Sequence, residues 1–227
     1  RFILPEEHHV WLKRDWSAQE MRILAPFEDG ALCAAFNADP NLDPHAMVMD
    51  MVHQMFGKLF PRKHIKETGF GAIYGMGAPG LAKKIGGISV GEGRDLQDSF
   101  YAALPGVKEL QTGTKRRGRN GQAITTWGGR EYFTEEPKII GGSYRSFEYK
   151  LTNYLIQGSA ADQAKQCLID WFNTKPKDHT FMATVHDEMN ISVPEDDVKN
   201  GMYRLKQCMN YDYFDVPMLS DAFSGPS

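Results

Sequence analysis

Strand-like patterning sits at the two ends of this 227-residue chain and helix-like patterning fills its middle, an order that restricts the fold more than any other feature. Val10 to Trp16 alternates imperfectly between apolar and polar residues, as a half-buried strand does, and carries Asp15 near its end. A helix is expected next, from about Ala18 to Phe27, with Met21, Leu24 and Ala25 facing inward. After a turn-rich connection from Asn37 to Pro44, apolar spacing predicts helices over Pro44 to Phe56 and about Arg62 to Tyr74, with Pro44 suited to a first turn. Gly75 to Gly80 breaks the pattern. A short helix over about Leu81 to Ile85 follows, then two helical stretches flanking Leu104-Pro105-Gly106.

Gln122 to Thr126 and Arg130 to Thr134 surround Trp127-Gly128-Gly129 and read as a hairpin. Helical patterns resume over Tyr144 to Ile156 and Ala160 to Phe172. His179 to Val185 and Glu188 to Val193 predict a second hairpin turning at His186-Asp187, and Val198 to Met209 a final amphipathic helix. Ser224 to Ser227 reads as loose or cut chain. This order predicts an α+β architecture with a helical insertion, the sheet in one lobe and the middle helices in another.

The composition is 41% hydrophobic and 24% charged, without the roughly 18 to 20 continuous apolar residues of a membrane span or the pattern of a secretory signal. The expectation is a cytosolic, cytoplasmic protein or a fragment of one. Cys33, Cys167 and Cys208 are odd in number and widely spaced, which predicts buried reduced thiols rather than a disulfide framework or zinc site. A net charge of −3 argues against a surface that is a nucleic-acid platform throughout. Cations do cluster, at Arg62-Lys63-His64-Ile65-Lys66 and Lys115-Arg116-Arg117-Gly118-Arg119, and acids at Glu195-Asp196-Asp197. Such clusters are also what solvated faces look like.

Three constellations carry chemistry. In Asp15-Trp16-Ser17-Ala18-Gln19-Glu20-Met21-Arg22 an Asp ends a strand, and a Glu and an Arg follow on a helix; alone, this is also an ordinary acidic helix N-terminus. Arg62, Lys66, Phe70 and Tyr74 recur at four-residue steps on one helical face. Two cations can hold a polyphosphate and two rings can stack on a sugar or base, while an amphipathic helix with a snorkelling Lys gives the same spacing. Gly69, Gly71 and Gly75 remove side chains beside those rings. Val185-His186-Asp187-Glu188 places adjacent carboxylates at a tight turn, as a hard-cation site requires and as a polar hairpin tip also does.

Together and in this order, the three resemble the signature motifs of family A DNA polymerases, the group of bacterial polymerase I and many phage replicative enzymes. The first motif is Asp15-x-Ser17-x-x-Glu20-x-Arg22, the second Arg62-x-x-x-Lys66-x-x-x-Phe70-Gly71-x-x-Tyr74-Gly75, and the third His186-Asp187-Glu188. Gln157-Gly158-Ser159-Ala160-Ala161-Asp162 and Leu104-Pro105-Gly106-Val107 resemble further family segments, and the Ser-Ala-Gln-Glu wording is closer to phage members. Gly69 stands where many members have Asn, Trp16 where Tyr or Phe is usual, and Tyr149 near a position often held by Arg, departures that bear on primer and template contact.

The resemblance implies a right-hand palm with an antiparallel sheet plus helical fingers: residues 1–42 and 121–227 as the palm, 43–120 as the fingers. The helical thumb, and often an exonuclease domain, lie upstream of the first motif in the family, so a portion of a longer polymerase without its thumb is expected. It implies a DNA-directed DNA polymerase of replication, binding primer–template DNA and dNTPs without a membrane, with two Mg²⁺ ions as cofactors. Asp15 and Asp187 would bind the ions, with the Trp16 carbonyl as an extra ligand and Glu188 in support. Lys66 would join them as a catalytic residue by protonating the leaving group. Arg62, Lys66 and His45 would grip the triphosphate, with Gln19 also at the dNTP, Phe70 at the sugar and Tyr74 at the templating base. Glu20 would block a 2′-hydroxyl. Arg22, Asn153, Gln157 and His186 would meet primer, template or minor groove, and Lys115 to Arg119 either backbone phosphates or solvent. A single-subunit RNA polymerase fits Glu20 less well, a metal-dependent nuclease has no use for the Arg62 stripe, and a non-catalytic nucleic-acid-binding remnant has no use for the carboxylates.

Overall fold

The computed structural model describes residues 4–210 and 214–225. Strand β1 (His9–Trp16) leads into α1 (Gln19–Glu28) and α2 (Ala31–Ala38), followed by α3 (Pro44–Phe56), α4 (Arg62–Ile73), α5 (Ala78–Ile85), α6 (Val90–Ala103) and α7 (Pro105–Arg119). Two small hairpins come next, β2 (Ile124–Thr125) with β3 (Glu131–Tyr132) and β4 (Lys138–Ile140) with β5 (Ser143–Arg145). Helix α8 (Leu151–Thr174), strands β6 (Thr180–Val185) and β7 (Glu188–Pro194), helix α9 (Val198–Met209) and strand β8 (Ser220–Gly225) complete the chain.

The main sheet has the order β6-β7-β1-β8 with antiparallel pairing throughout. The first strand is therefore interior, flanked by strands from the far end of the chain. Side chains alternate across it: Leu12, Arg14 and Trp16 are buried on one face, and Lys13 and Asp15 belong to the other. Helix α9 covers the buried face through Leu205 and Met209. It comes close because of Gly201, where a Cβ would stand 2.9 Å from Leu12 Cδ1 and 3.0 Å from Val193 Cγ1. The buried core runs on from Leu12 and Ile191 through Leu24 and Ile156 to Ile65, Leu81 and Phe100 of the middle helices. The architecture is α+β.

Several sequence expectations need correction. Helix α2 occupies part of a stretch assigned no element; Leu32 and Phe36, one turn apart, bury it. Helix α5 starts at Ala78, with Pro79 in its first turn, not at Leu81. The two helices expected over 144–172 are one, because Gly158 does not break α8 but lets another segment approach. A Cβ at Gly158 would lie 2.6 Å from Thr126 Cγ2 and 2.9 Å from Tyr132 Cε2 of the β2–β3 hairpin. Tyr144 and Arg145 are in β5, turned back on β4 by Gly141 and Gly142 with φ of +59° and +77°, values suited to a two-residue hairpin turn. Ser224 and Gly225 are not loose: they pair with Leu12 and Trp11, while Pro226 and Ser227 lie outside the described residues. All three cysteines are free, but Cys33 is only half-buried.

Candidate active site

The site begins where β1 stops. Trp16 N donates to Asp187 O at 3.0 Å and Ser17 N to Leu219 O at 2.9 Å, so the chain reverses while tied to the β6–β7 turn and to the residue before β8. Ala18, at φ +52°, makes the reversal, and His186, at φ +62°, makes the β6–β7 turn. Each costs about 1 kcal/mol or more for a residue with a Cβ, a strain sustained by the surrounding ladder.

That ladder puts acids side by side. Asp15 is opposite Glu188 on β7 and opposite Asp221 on β8, on one face of the sheet. Like charges directly opposite destabilise each other. Burial, then Asp187 and Glu188, push the Asp15 pKa up to about 6, with Lys13 opposing and Asp221 adding to the rise. Asp15 Oδ1 is buried and accepts no hydrogen bond. Its neighbours are satisfied. Glu188 is paired with Lys13 and accepts from Asn190 Nδ2 at 2.9 Å, bonds that outweigh burial and hold its pKa below the usual range. Asp221 Oδ2 accepts from Ser17 Oγ at 2.6 Å.

An orphaned buried carboxylate oxygen among other carboxylates is a place a hard cation fits. Among the described residues no three His, Cys, Asp or Glu side chains converge closely enough to hold a metal by themselves. Mg²⁺ does not need them, since it usually takes one or two carboxylates and completes its shell with water and phosphate oxygens.

A cleft of about 990 Å³ opens beside these acids, walled by the start of α1, the start of α3, one face of α4, the β6–β7 turn, and residues of α9 and β8. Arg62, Lys66, Phe70 and Tyr74 all line it, as the four-residue spacing requires of one helical face. Arg62 Nε donates to Asp43 Oδ2 at 2.6 Å, and Asp43 also caps α3 by accepting from His45 N at 2.9 Å. Lys66 lies 5.7 Å from the Phe70 ring centre and Lys84 5.9 Å from it, so two ammonium groups share one ring beside the cleft. His45 is buried 6.1 Å from Phe70, and burial lowers its pKa to about 4, which keeps the imidazole neutral at pH 7. Its Nδ1 is buried without a hydrogen-bond partner.

Glu20 faces α4 and α8 across the cleft. Gln157 Nε2 and, at 3.4 Å, Tyr74 Oη donate to its Oε1, and Gln157 Nε2 also reaches Tyr74 Oη at 3.1 Å. Burial raises its pKa while the Gln157 hydrogen bond opposes the rise. The Glu20 carboxylate of α1 therefore joins Gln157 of α8 and Tyr74 at the end of α4, and its second oxygen is buried without a partner.

Of the residues expected here, Gln19, Glu20, Arg22, His45, Arg62, Lys66, Phe70, Tyr74, Gln157, His186 and Asp187 line the cleft; Asp15, Trp16, Glu188 and Asn153 do not. Two expectations change. Arg22, expected at primer or template, is 2% exposed. Its nitrogens donate to the carbonyls of Ser17 (2.8 Å), Pro217 (2.6 Å) and Pro40 (2.6 Å), and the guanidinium lies 4.5 Å from the centre of the Phe36 ring. It locks loops together instead of reaching out. Gln19, expected at the nucleotide, is buried with its amide donating to Gln163 Oε1 at 2.8 Å, a tie between α1 and α8. Asn153 lies on α8 with its amide nitrogen buried and unpartnered. Sequence reading missed Lys84, Lys206 and Asp221, which also line the cleft. Lys84 was legible as a cation on the short helix after the glycine break; for Asp221 no local pattern marked a strand.

Comparison with known proteins gives a consistent picture. The model for DNA polymerase family A matches residues 1–227. DNA polymerase I of Pseudomonas aeruginosa is 30% identical over 99% of this chain and 25% of its own length, and that of Chloroflexus aurantiacus 31% over 100% and 25%. The chain thus spans about a quarter of the length of these relatives. Among solved structures, the POL domain of Pol1 from M. smegmatis, in complex with DNA primer-template and dNTP, superposes with a TM-score of 0.82 at 25% identity, covering 99% of this chain and 41% of that one.

Proposed function

The chain belongs to DNA polymerase family A, and from that membership we propose that it is the palm and fingers of a DNA-directed DNA polymerase, extending a primer 3′-hydroxyl with dNTPs on a DNA template. The observation that carries the reading is a repelling carboxylate row beside one cleft, whose lining joins Asp187 and Asp221 to a helix face of two cations and two rings. Phosphoryl transfer needs that combination, since positioning and charge stabilisation do almost all the work. Residues 1–42 and 121–227 are assigned to the palm and 43–120 to the fingers, and the cytoplasm is the proposed compartment.

Asp15 and Asp187, with the Trp16 carbonyl, are the proposed ligands of two Mg²⁺ ions, and Glu188 supports them by holding Lys13 in place. Bound Mg²⁺ supplies Lewis acidity, lowering the pKa of the attacking hydroxyl and neutralising phosphate charge. Arg62, preset by Asp43, and Lys66 grip the triphosphate, and Lys66 delivers a proton to departing pyrophosphate. His45, neutral, contributes a hydrogen bond from its free ring nitrogen rather than a charge. Phe70 packs on the sugar. Glu20, held by Gln157 and Tyr74, closes the space a 2′-hydroxyl would need, while Tyr74 stands near the templating base. His186 and Gln157 meet the primer–template.

Primer extension with Mg²⁺, offering dNTPs and rNTPs separately to the protein and to its Asp187→Ala variant, tests this. Extension with dNTPs only, lost in the variant, is expected. Extension with rNTPs moves the reading to an RNA polymerase, and DNA binding without extension leaves a non-catalytic binding remnant.

A further inference from the structure

Asp15, Glu188 and Asp221 share one face of the sheet at the end of β1, but they differ in what holds them. Asp221 Oδ2 accepts from Ser17 Oγ at 2.6 Å. Both oxygens of Glu188 are taken: Asn190 Nδ2 donates to Oε1 at 2.9 Å, and the Lys13 ammonium pairs with Oε2. Asp15 Oδ1 is left buried and unpartnered.

Strand geometry makes this arrangement. Lys13 stands two residues before Asp15, hence on the same face, and opposite Asn190 in the β1–β7 register, so Glu188 is its diagonal neighbour on β7. On its other side Lys13 is opposite Phe223 of β8, and its Nζ lies 5.6 Å from the centre of that ring. The ammonium is thus held between a carboxylate and an aromatic ring. Asn190 is oriented in its turn. It is buried, and the Trp11 indole N–H, which can only donate, reaches its Oδ1 at 2.7 Å. That bond draws the carbonyl end of the amide toward Trp11 and turns the NH₂ end to Glu188. A chain of side chains from Trp11 through Asn190 to Glu188 and Lys13 therefore runs along the sheet and ends beside Asp15. Neither Lys13 nor Asn190 lines the cleft, and neither falls in the three motifs.

An ion pair in which Lys13 is 38% exposed contributes little to stability. Its consequence is geometric. A carboxylate that gives one oxygen to an ammonium and the other to an amide must break those bonds before it can ligate a cation, and Mg²⁺ usually takes only one or two protein carboxylates. We infer that Lys13 is a positioning residue of the active site: with Asn190 it holds Glu188 away from the bound cations and leaves Asp15 and Asp187 as the carboxylates that ligate them. This rests on the Mg²⁺ reading of the site and deepens it.

The test is Mn²⁺ binding to the protein without nucleotide or DNA, followed by the electron paramagnetic resonance signal of free Mn²⁺, an ion that shares the preference of Mg²⁺ for oxygen ligands. Lys13→Met keeps the apolar stem and removes the charge, which releases Glu188; Mn²⁺ should then bind about tenfold more tightly, because a further carboxylate can turn to it. Lys13→Arg, which can still pair with Glu188, should keep the wild-type affinity. In a Glu188→Gln background Lys13→Met should tighten binding by only about threefold, the part due to charge alone. The melting temperature of Lys13→Met should stay within about 4 °C of wild type. Unchanged or weaker Mn²⁺ binding in Lys13→Met overturns the inference. Equal tightening in the two backgrounds overturns it too, since Lys13 would then act as a bare charge, and so does a large loss of stability, which marks a structural residue. A wild type that binds no Mn²⁺, or binds it equally well after Asp187→Ala, overturns the Mg²⁺ reading itself.

Discussion

Gly158 and Gly113 both sit within helices, and alanine at the two positions should have opposite effects. At Gly113 of α7 nothing lies within 4 Å of the position a Cβ would take. Alanine there should stabilise by about 0.5–1 kcal/mol through helix propensity and a less mobile unfolded chain. At Gly158 of α8 the same propensity gain meets Thr126 Cγ2 at 2.6 Å and Tyr132 Cε2 at 2.9 Å. The β2–β3 hairpin cannot back away freely, because Trp127 N donates to Ser159 Oγ at 2.9 Å and Gly128 N to Asp162 Oδ2 at 3.1 Å, both on α8 itself. Overpacking of this kind costs about 1–3 kcal/mol, so Gly158→Ala should be destabilised by up to about 2 kcal/mol net. The difference between the two variants isolates the clash. For a chain of this size each 1 kcal/mol moves Tm by about 2–4 °C, which puts the Gly113→Ala melting point roughly 2–12 °C above that of Gly158→Ala. Thermal unfolding followed by circular dichroism measures it. Equal melting points would refute the argument that Gly158 is kept for close approach.

Three further outcomes follow from the site. Asp15 has its pKa raised to about 6, so the folded protein holds a proton that the unfolded chain releases near pH 4; this stabilising contribution is present at low pH and is lost as pH rises through about 6. Cation binding needs the ionised form, so the Mg²⁺ concentration for half-maximal extension should rise steeply as pH falls below about 6, and Asp187→Asn, which removes a repelling neighbour, should lower the Asp15 pKa as followed by carboxyl NMR titration. Glu20→Ala should lower discrimination against ribonucleotides about tenfold or more, the equivalent of ~1.4 kcal/mol, in single-nucleotide incorporation kinetics; unchanged discrimination would separate Glu20 from sugar choice. Arg22→Gln should destabilise by on the order of 3 kcal/mol, read by urea unfolding, because the buried guanidinium and its part-buried hydrogen bonds to the carbonyls of Ser17, Pro40 and Pro217 are lost; a stable variant with weakened DNA binding would restore the direct contact expected from sequence.

What was legible in the sequence was local. Helix α3 runs from Pro44 to Phe56 as its apolar spacing predicts, with Asp43 capping it, and α9 covers Val198 to Met209 for the same reason. The Arg62, Lys66, Phe70 and Tyr74 stripe needed only the pitch of one helix to reach one cleft. The β6–β7 turn at His186-Asp187 was likewise visible, since alternating runs break there. In each case the deciding interactions lie within a few residues.

The sequence by itself therefore determined the elements with strong local patterning and the chemical character of the site: carboxylates at a strand end and a turn, cations and rings on a helix. Tertiary structure alone decided which of those groups are free. It placed Asp221 beside Asp15 by pairing β8 with β1, across 206 positions, where no alternation marks a strand. It turned Glu188 onto Lys13, enclosed Arg22 among distant carbonyls, and made Gly158 a point of contact instead of a helix stop. Local periodicity reflects backbone geometry repeated every few residues, whereas a hydrogen-bond partner or a neighbouring charge depends on which remote segment packing brings near, and that is fixed only when the core closes.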